Sequence, residues 1–150
     1  MRILVVDAGN YCRSPAAEAV ARTIAARAGA GARFRFSSAG LKDKHVGDTA
    51  DPRTIEACRA RGYDLGEFRC REISAEDFTG SDLILAMDRD NMVQLESRRP
   101  AGSTTPIRLF LGDMEVPDPY YGGEDGFAAM MDLIEQGAEQ IILGSGSRAG

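Results

Sequence analysis

Residues 2–15 read R-I-L-V-V-D-A-G-N-Y-C-R-S-P, and the fold turns on how this stretch is read. Arg2 to Val6 is an apolar, β-branched run that breaks into Asp7-Ala8-Gly9-Asn10, the composition of a buried strand entering a tight turn. Ser14 before Pro15 has the order of an N-cap and a first-turn proline. The alanine-rich stretch that follows predicts a helix running to Gly29, with Val20, Ile24 and Ala28 as its inner stripe. A strand, a glycine-containing turn, an arginine and an immediate helix are the parts of an anion cradle. N–H groups of a curled loop and the positive end of a helix converge, and Arg13 adds a two-pronged donor matched to phosphate oxygens. The same residues also suit an ordinary strand-to-helix turn with a surface arginine, so the rest of the chain has to decide.

Outward from this stretch, strands alternate with helices. Arg33 to Ser38 alternates polar with aromatic side chains and reads as a second strand, nearer an edge than the first. Asp51-Pro52 opens a helix that ends near Gly62. Leu83 to Met87 is a third strand ending in Asp88, followed by a helix from Asp90 to about Arg98, and Ile107 to Leu111 is a fourth strand. After the Pro/Gly-rich segment Val116 to Gly123, an amphipathic helix from about Asp125 to Leu143 turns Phe127, Met130, Met131, Ile134 and Ile141 inward. This order predicts an α/β fold with a parallel sheet covered on both faces. Ligands then bind beyond the carboxyl ends of the strands, where the winding reverses, which directs attention to the turn after the first strand. The tail Gly144 to Gly150 follows a helix instead of leaving a strand, and it reads as a flexible end, not a nucleotide loop.

A chain of 150 residues with 43% hydrophobic content predicts one domain, residues 1–150, around one core. The net charge is −5 and the basic residues are scattered, which speaks against nucleic acid and anionic membrane as partners. The five-residue apolar run near the start is too short for a signal-peptide core or a membrane span, so a soluble cytoplasmic protein is expected. The three cysteines, Cys12, Cys58 and Cys70, form no C-x-x-C pair, and His45 is the single histidine. Disulfide frameworks, zinc sites and histidine triads are therefore not expected, and no metal or cofactor is.

The segment V-V-x-A-G-N-Y-C-R-S-P resembles the phosphate-loop signature C-x5-R-S/T of low-molecular-weight protein-tyrosine phosphatases, with Asp7 in the cysteine position. Far downstream, Val116 to Gly122, V-P-D-P-Y-Y-G, resembles the general-acid loop of that family. Between them Ser37 to Gly40, His45 to Gly47, Ala50 to Arg53 and Ala86 to Asp88 match in order, so the resemblance spans essentially the whole chain. Two catalytic signatures at family spacing are far more specific than either alone. The resemblance implies a three-layer sandwich whose four-stranded parallel sheet has the order 2-1-3-4. It implies that Ala8, Gly9, Asn10, Tyr11, Cys12 and Arg13 hold phosphate through backbone N–H groups, with Arg13 also stabilising the transferring group. Asn10, in a left-handed conformation, and Ser14 would keep the loop's shape, and the Ser14 hydroxyl would point at the nucleophile. Asp118 would give a proton to the leaving phenol, kept protonated by the neighbouring phosphate dianion; alternatively it is a turn residue before Pro119. Tyr120 and Tyr121 form an aromatic wall, or are surface rings. The implied substrate is a phosphotyrosine-containing protein or an aryl phosphate, with inorganic phosphate or a similar oxyanion as loop ligand.

Two departures carry consequences. A loop thiolate attacks phosphorus in line and forms a phosphocysteine, whereas a carboxylate is less nucleophilic and its oxygens are free to fold onto the loop's own N–H groups or onto Arg13. Asp7 thus predicts an impaired phosphatase or a non-catalytic phosphate-loop protein. Cys12, on the far side of the loop, is unsuited to direct attack, and the oxidative pairing it makes with the nucleophile in family members is abolished by Asp7. Cys58 and Cys70 read as packing residues. Bacterial relatives commonly carry an aromatic residue at the Lys44 position; Lys44 either covers a substrate ring with its stem or is simply solvated. Rival readings fare worse: a receiver-type phosphoacceptor lacks its acidic pair and lysine, a D-x-D phosphatase has Gly9 where its second Asp belongs, and an arsenate reductase requires the loop cysteine.

Overall fold

The computed structural model describes residues 1–120 and 122–144. Strand β1 (Arg2–Asp7) lies inside a four-stranded parallel sheet with β2 (Arg35–Gly40), β3 (Leu83–Ala86) and β4 (Ile107–Leu109), in the order β2-β1-β3-β4. Its central place follows from its side chains, since Ile3, Leu4, Val5 and Val6 are apolar on both faces and all fully buried. Ile3 and Val5 join one core with helices α1 (Arg13–Arg27), α2 (Pro52–Ala60) and α5 (Gly123–Ile142). Leu4 and Val6 join a smaller core with Phe78 of α3 (Ala75–Gly80) and Leu95 of α4 (Arg89–Arg98). The winding reverses beside β1, and its register pairs Asp7 with Gly40 of β2 and Val6 with Ala86 of β3. The carboxyl ends of three strands therefore meet at the turn after Asp7.

Several boundaries differ from the sequence expectation. Helix α1 begins at Arg13, with Cys12 in the N-cap position and no side-chain cap, so Ser14 and Pro15 lie inside the first turn. Ser14 is not available as a cap because its hydroxyl accepts from Asn10 and its N–H donates to Asp7. The inner stripe of α1 is Ala16, Ala17, Val20, Ala21 and Ala25; Ile24 is half-buried and Ala28 is exposed. These small side chains let α1 lie close to α5. Strand β2 runs two residues later than expected, because Ala39 and Gly40 continue the register opposite Val6 and Asp7. On α5, Ile142 rather than Ile141 is fully buried, together with Gly137 and Ala138. A Cβ at Gly137 would fall 2.3 Å from the Phe110 ring, so this glycine sets how closely α5 approaches the chain leaving β4. Helix α3, with Ser74 and Asp77 forming a capping box, has no counterpart in the sequence reading. Of the tail expected at 144–150, residues 145–150 lie outside the described residues, as does Tyr121. Among the described residues no helix is long and apolar enough to cross a membrane, and no group of three or more His, Cys, Asp or Glu side chains is placed to hold a metal ion.

Candidate active site

The turn after β1 is held from outside by β2. Leu41 and Lys42 donate their N–H groups to the carbonyls of Asp7 and Ala8 at 3.0 and 2.8 Å. Gly40 makes this approach possible: a Cβ there would lie 2.6 Å from the Gly9 carbonyl carbon and 2.7 Å from the Asn10 nitrogen. Asn10 takes the left-handed conformation, φ 56°, and is fully buried. Its side chain secures that geometry, with Nδ2 donating to Ser14 Oγ at 2.8 Å and Ser38 Oγ at 3.0 Å, and Oδ1 accepting from the Arg71 N–H at 2.9 Å. Ser38 in turn donates to Glu18 Oε1 at 2.7 Å. An asparagine in this region carries roughly 1 kcal/mol of strain, which three buried hydrogen bonds of about 1 kcal/mol each offset.

Asp7 sits at the floor of the turn, 2% exposed. Its Oδ1 accepts from the Asn10 N–H at 2.5 Å and its Oδ2 from the Ser14 N–H at 2.9 Å. Burial pushes this carboxyl group above the ordinary aspartate range; the Arg13 charge and the hydrogen bonds from Ser14 and Asn10 pull the other way without cancelling it. Among the described residues, the N–H groups of Ala8, Gly9, Tyr11 and Cys12 meet no protein acceptor. They belong to the loop that leads into α1, a helix N-terminus whose first N–H groups are suited to an anion.

Arg13 is almost wholly buried and joins three segments. Its Nη1 donates to Asp88 Oδ2 at 2.8 Å and to the Val116 carbonyl at 2.9 Å, and its Nη2 lies 3.9 Å from Asp118 Oδ2. Asp88 is itself fixed as the N-cap of α4, accepting from the Asn91 N–H at 2.7 Å. The structure thus brings Asp118 to the loop through Arg13, while its Oδ1 accepts from the Tyr120 N–H at 3.0 Å as a turn residue's would. The turn reading of Asp118 is thus seen directly, and the contact with Arg13 sets its carboxylate beside the loop.

One wall is anchored by Arg53. Its guanidinium forks onto Asp51 at 3.1 and 2.7 Å, donates to the Tyr120 carbonyl at 2.8 Å, and lies 5.0 Å from the Tyr120 ring and 4.8 Å from that of Phe127. Burial alone would raise the Asp51 carboxyl, but the Arg53 hydrogen bonds and charge hold it below its ordinary range. Asp51 caps α2 by accepting from the Arg53 N–H, and its own N–H donates to the Tyr11 carbonyl at 3.0 Å. The Cys12 thiol donates to Asp51 Oδ2 at 3.6 Å. Burial, and then the Asp51 charge, push this thiol up to about 12, so it stays protonated at neutral pH.

On the other side the Tyr11 ring stacks on His45, centroids 3.7 Å apart and planes 4° from parallel. Lys44 is exposed beside it. Sequence reasoning read Asp51 as the opening of a helix and Asp88 as the end of a strand, and gave neither of them nor His45 a part in the site. The signal available was position: Asp88 follows a strand end, Asp51 precedes a proline, and the lone His45 is the only imidazole a stack could use.

Over residues 2–146 the sequence matches the model of a family described as low molecular weight phosphotyrosine protein phosphatase. The chain belongs to this family. It is 41% identical over 135 residues to the low molecular weight phosphotyrosine protein phosphatase of Schizosaccharomyces pombe, covering 85% of each chain. To the low molecular weight protein-tyrosine-phosphatase YfkJ of Bacillus subtilis it is 36% identical over 146 residues, covering 93% of this chain and 92% of the other. Its fold matches the crystal structure of a protein tyrosine phosphatase from Entamoeba histolytica with Hepes in the active site, at a TM-score of 0.91 and 35% identity, over 100% of this chain and 99% of that one. The phosphatase family match takes in the loop from Asp7 to Ser14, the Asp88 anchor and Asp118 alike.

Proposed function

We propose that this protein is a phosphotyrosine protein phosphatase by descent and architecture in which Asp7 stands at the position of the nucleophilic cysteine, leaving catalysis strongly impaired while the oxyanion cradle stays intact. The whole length, residues 1–150, acts as one such domain. The observation that carries this reading is Asp7 itself, buried at the floor of the loop with both carboxylate oxygens taken by the Asn10 and Ser14 N–H groups. Four further loop N–H groups stay free for a ligand. A carboxylate so held is tied down by the donors that would otherwise stabilise a thiolate, and it is the poorer nucleophile towards phosphorus. Gross repulsion with an incoming anion, about 4 kcal/mol at 4 Å and an effective dielectric of ~20, would face a thiolate as well, so charge alone does not prevent binding. Cys12 does not replace the missing thiolate, since it is buried, bonded to Asp51 and held protonated.

With a cysteine at position 7 the remaining groups supply the reaction. The thiolate attacks phosphorus, the P–O bond to the phenol breaks, Asp118 passes its proton to the departing oxygen, and water then hydrolyses the phosphocysteine while Arg13 and the loop N–H groups hold the charge. The ligand class is a phosphotyrosine-containing protein or an aryl phosphate, with inorganic phosphate or a similar oxyanion alone in the loop. The free N–H groups equally favour a second reading, a non-catalytic protein that captures phosphorylated partners. Three unpaired, buried thiols suit a reducing compartment, in keeping with the cytoplasm.

An assay of 4-nitrophenyl phosphate hydrolysis with the chain as it stands and with Asp7→Cys tests the proposal. The expected result is scant turnover for the former and a gain of roughly a thousandfold or more for the latter. Family-like turnover with Asp7 in place, or no gain from the cysteine, would overturn it.

A further inference from the structure

Asp88 and Asp118 flank the Arg13 guanidinium at the phosphate loop, and Asp7 lies at the head of the same helix. Arg13 bonds Asp88 at 2.8 Å and lies 3.9 Å from Asp118, and its helix begins where Asp7 accepts the Ser14 N–H. Three carboxylates against one guanidinium leave a formal excess of two negative charges at a site whose unspent N–H groups call for an anion. We propose that the loop binds a tetrahedral oxyanion together with one proton, and that the proton resides on Asp7. This rests on reading the loop as an oxyanion site and specifies the form in which the ligand is taken.

Geometry selects Asp7 among the three carboxylates. A proton on Asp88 would cost the 2.8 Å ion pair with the Arg13 guanidinium. Asp118 has a half-exposed side chain that solvent screens. Asp7 is 2% exposed, and while Ser14 engages its Oδ2, its Oδ1 accepts from the Asn10 N–H and keeps a second acceptor position. A proton placed on the second position turns a charge-against-charge contact into an O–H donor aimed at the anion, without breaking either loop hydrogen bond. Burial favours the protonated carboxyl even before a ligand arrives.

The other groups near Asp7 do not offer a substitute. Cys12 of the loop and Cys70 of the segment before α3 are thiols held at about 12 and about 11 by burial and neighbouring carboxylates, so they carry no charge at neutral pH. Arg71 gives the loop only its backbone N–H; its guanidinium is paired with Asp77 at 3.0 Å. Glu18 touches the loop only through Ser38 and Asn10, and His45 only through its stack on Tyr11.

The test is calorimetric titration of the protein with sulfate, a tetrahedral dianion that does not itself titrate from mildly acidic to mildly alkaline pH. Proton uptake is read by repeating the titration in buffers of different ionisation enthalpy. The expected result is close to one proton taken up per sulfate at the alkaline end, with affinity falling by about tenfold per pH unit there. In Asp7→Asn, and in Asp7→Ser should the asparagine destabilise the loop, sulfate binding should persist with a flat pH profile and no proton uptake. A flat profile in the unmodified protein, or a slope that survives in these variants, would overturn the inference and leave the loop's role as an oxyanion site standing. Absence of sulfate binding by the protein and its variants at every pH would overturn the oxyanion site itself.

Discussion

At Asn10 the loop's shape is secured by one side chain. A left-handed φ of 56° at a fully buried residue persists because the amide bonds Ser14, Ser38 and the Arg71 N–H at once. Asn10→Ala keeps the strain and loses all three, so chemical denaturation should show a loss of about 2–4 kcal/mol. Asn10→Gly, which relieves the strain, should lose less; equal losses would mean that the backbone conformation contributes nothing. Asp118 carries the second residue-level prediction. In an Asp7→Cys background, Asp118→Asn should lower kcat strongly for phosphates with poor leaving groups and much less for activated phenols, since only the former need a proton. Equal slowing of both would remove Asp118 from the acid role. Local geometry was legible where a motif fixed it: Asp118 lies beside the loop from Asp7 to Ser14 through Arg13, and Asn10 is left-handed. The stack of His45 on Tyr11 and the fork of Arg53 onto Asp51 were not legible, because each joins segments far apart in sequence through geometry that composition does not encode.

Among the elements, α2 shows a sequence signal that local structure obeys, and α1 one that it overrides. Asp-Pro at 51–52 reads as a cap and first-turn proline, and Asp51 does accept from the Arg53 N–H. Ser-Pro at 14–15 carries the same signal, yet the loop claims Ser14 and α1 starts two residues earlier. Helix α3 escaped notice because its six residues are too few to show a period. Asp51→Ala should destabilise the protein by about 1 kcal/mol at neutral pH through the lost cap. The Asp51 carboxyl is held below its unfolded value, so its stabilisation is present above a pH of about 4 and lost as pH falls towards the folded value. The stability gap between the protein and Asp51→Ala, followed by denaturation across acidic pH, should therefore narrow below about pH 4; a gap that widened on acidification would contradict this assignment.

For the molecule as a whole, the alternation of strands and helices made the parallel sheet and its two covered faces legible, and the family resemblance supplied the order 2-1-3-4 that the structure has. How closely the layers approach was not legible, since that depends on positions such as Gly137, where a Cβ would meet the Phe110 ring. Gly137→Ala should overpack this contact, costing about 1–3 kcal/mol and lowering Tm by several degrees; an unchanged Tm would show that α5 can shift freely. The same architecture puts the end of β1, and the loop that follows it, at the point where the winding reverses. The proposed function makes residue 7, and not Cys12, the position from which phosphorus would be attacked. Rapid acid quenching of Asp7→Cys during turnover of an aryl phosphate, followed by peptide mass spectrometry, tests that most directly. The expected result is a phosphoryl group on the cysteine at position 7, with Cys12 unmodified and no such adduct on Cys12 in the unmodified protein; a phosphoryl group on Cys12 in either protein would overturn the assignment of residue 7.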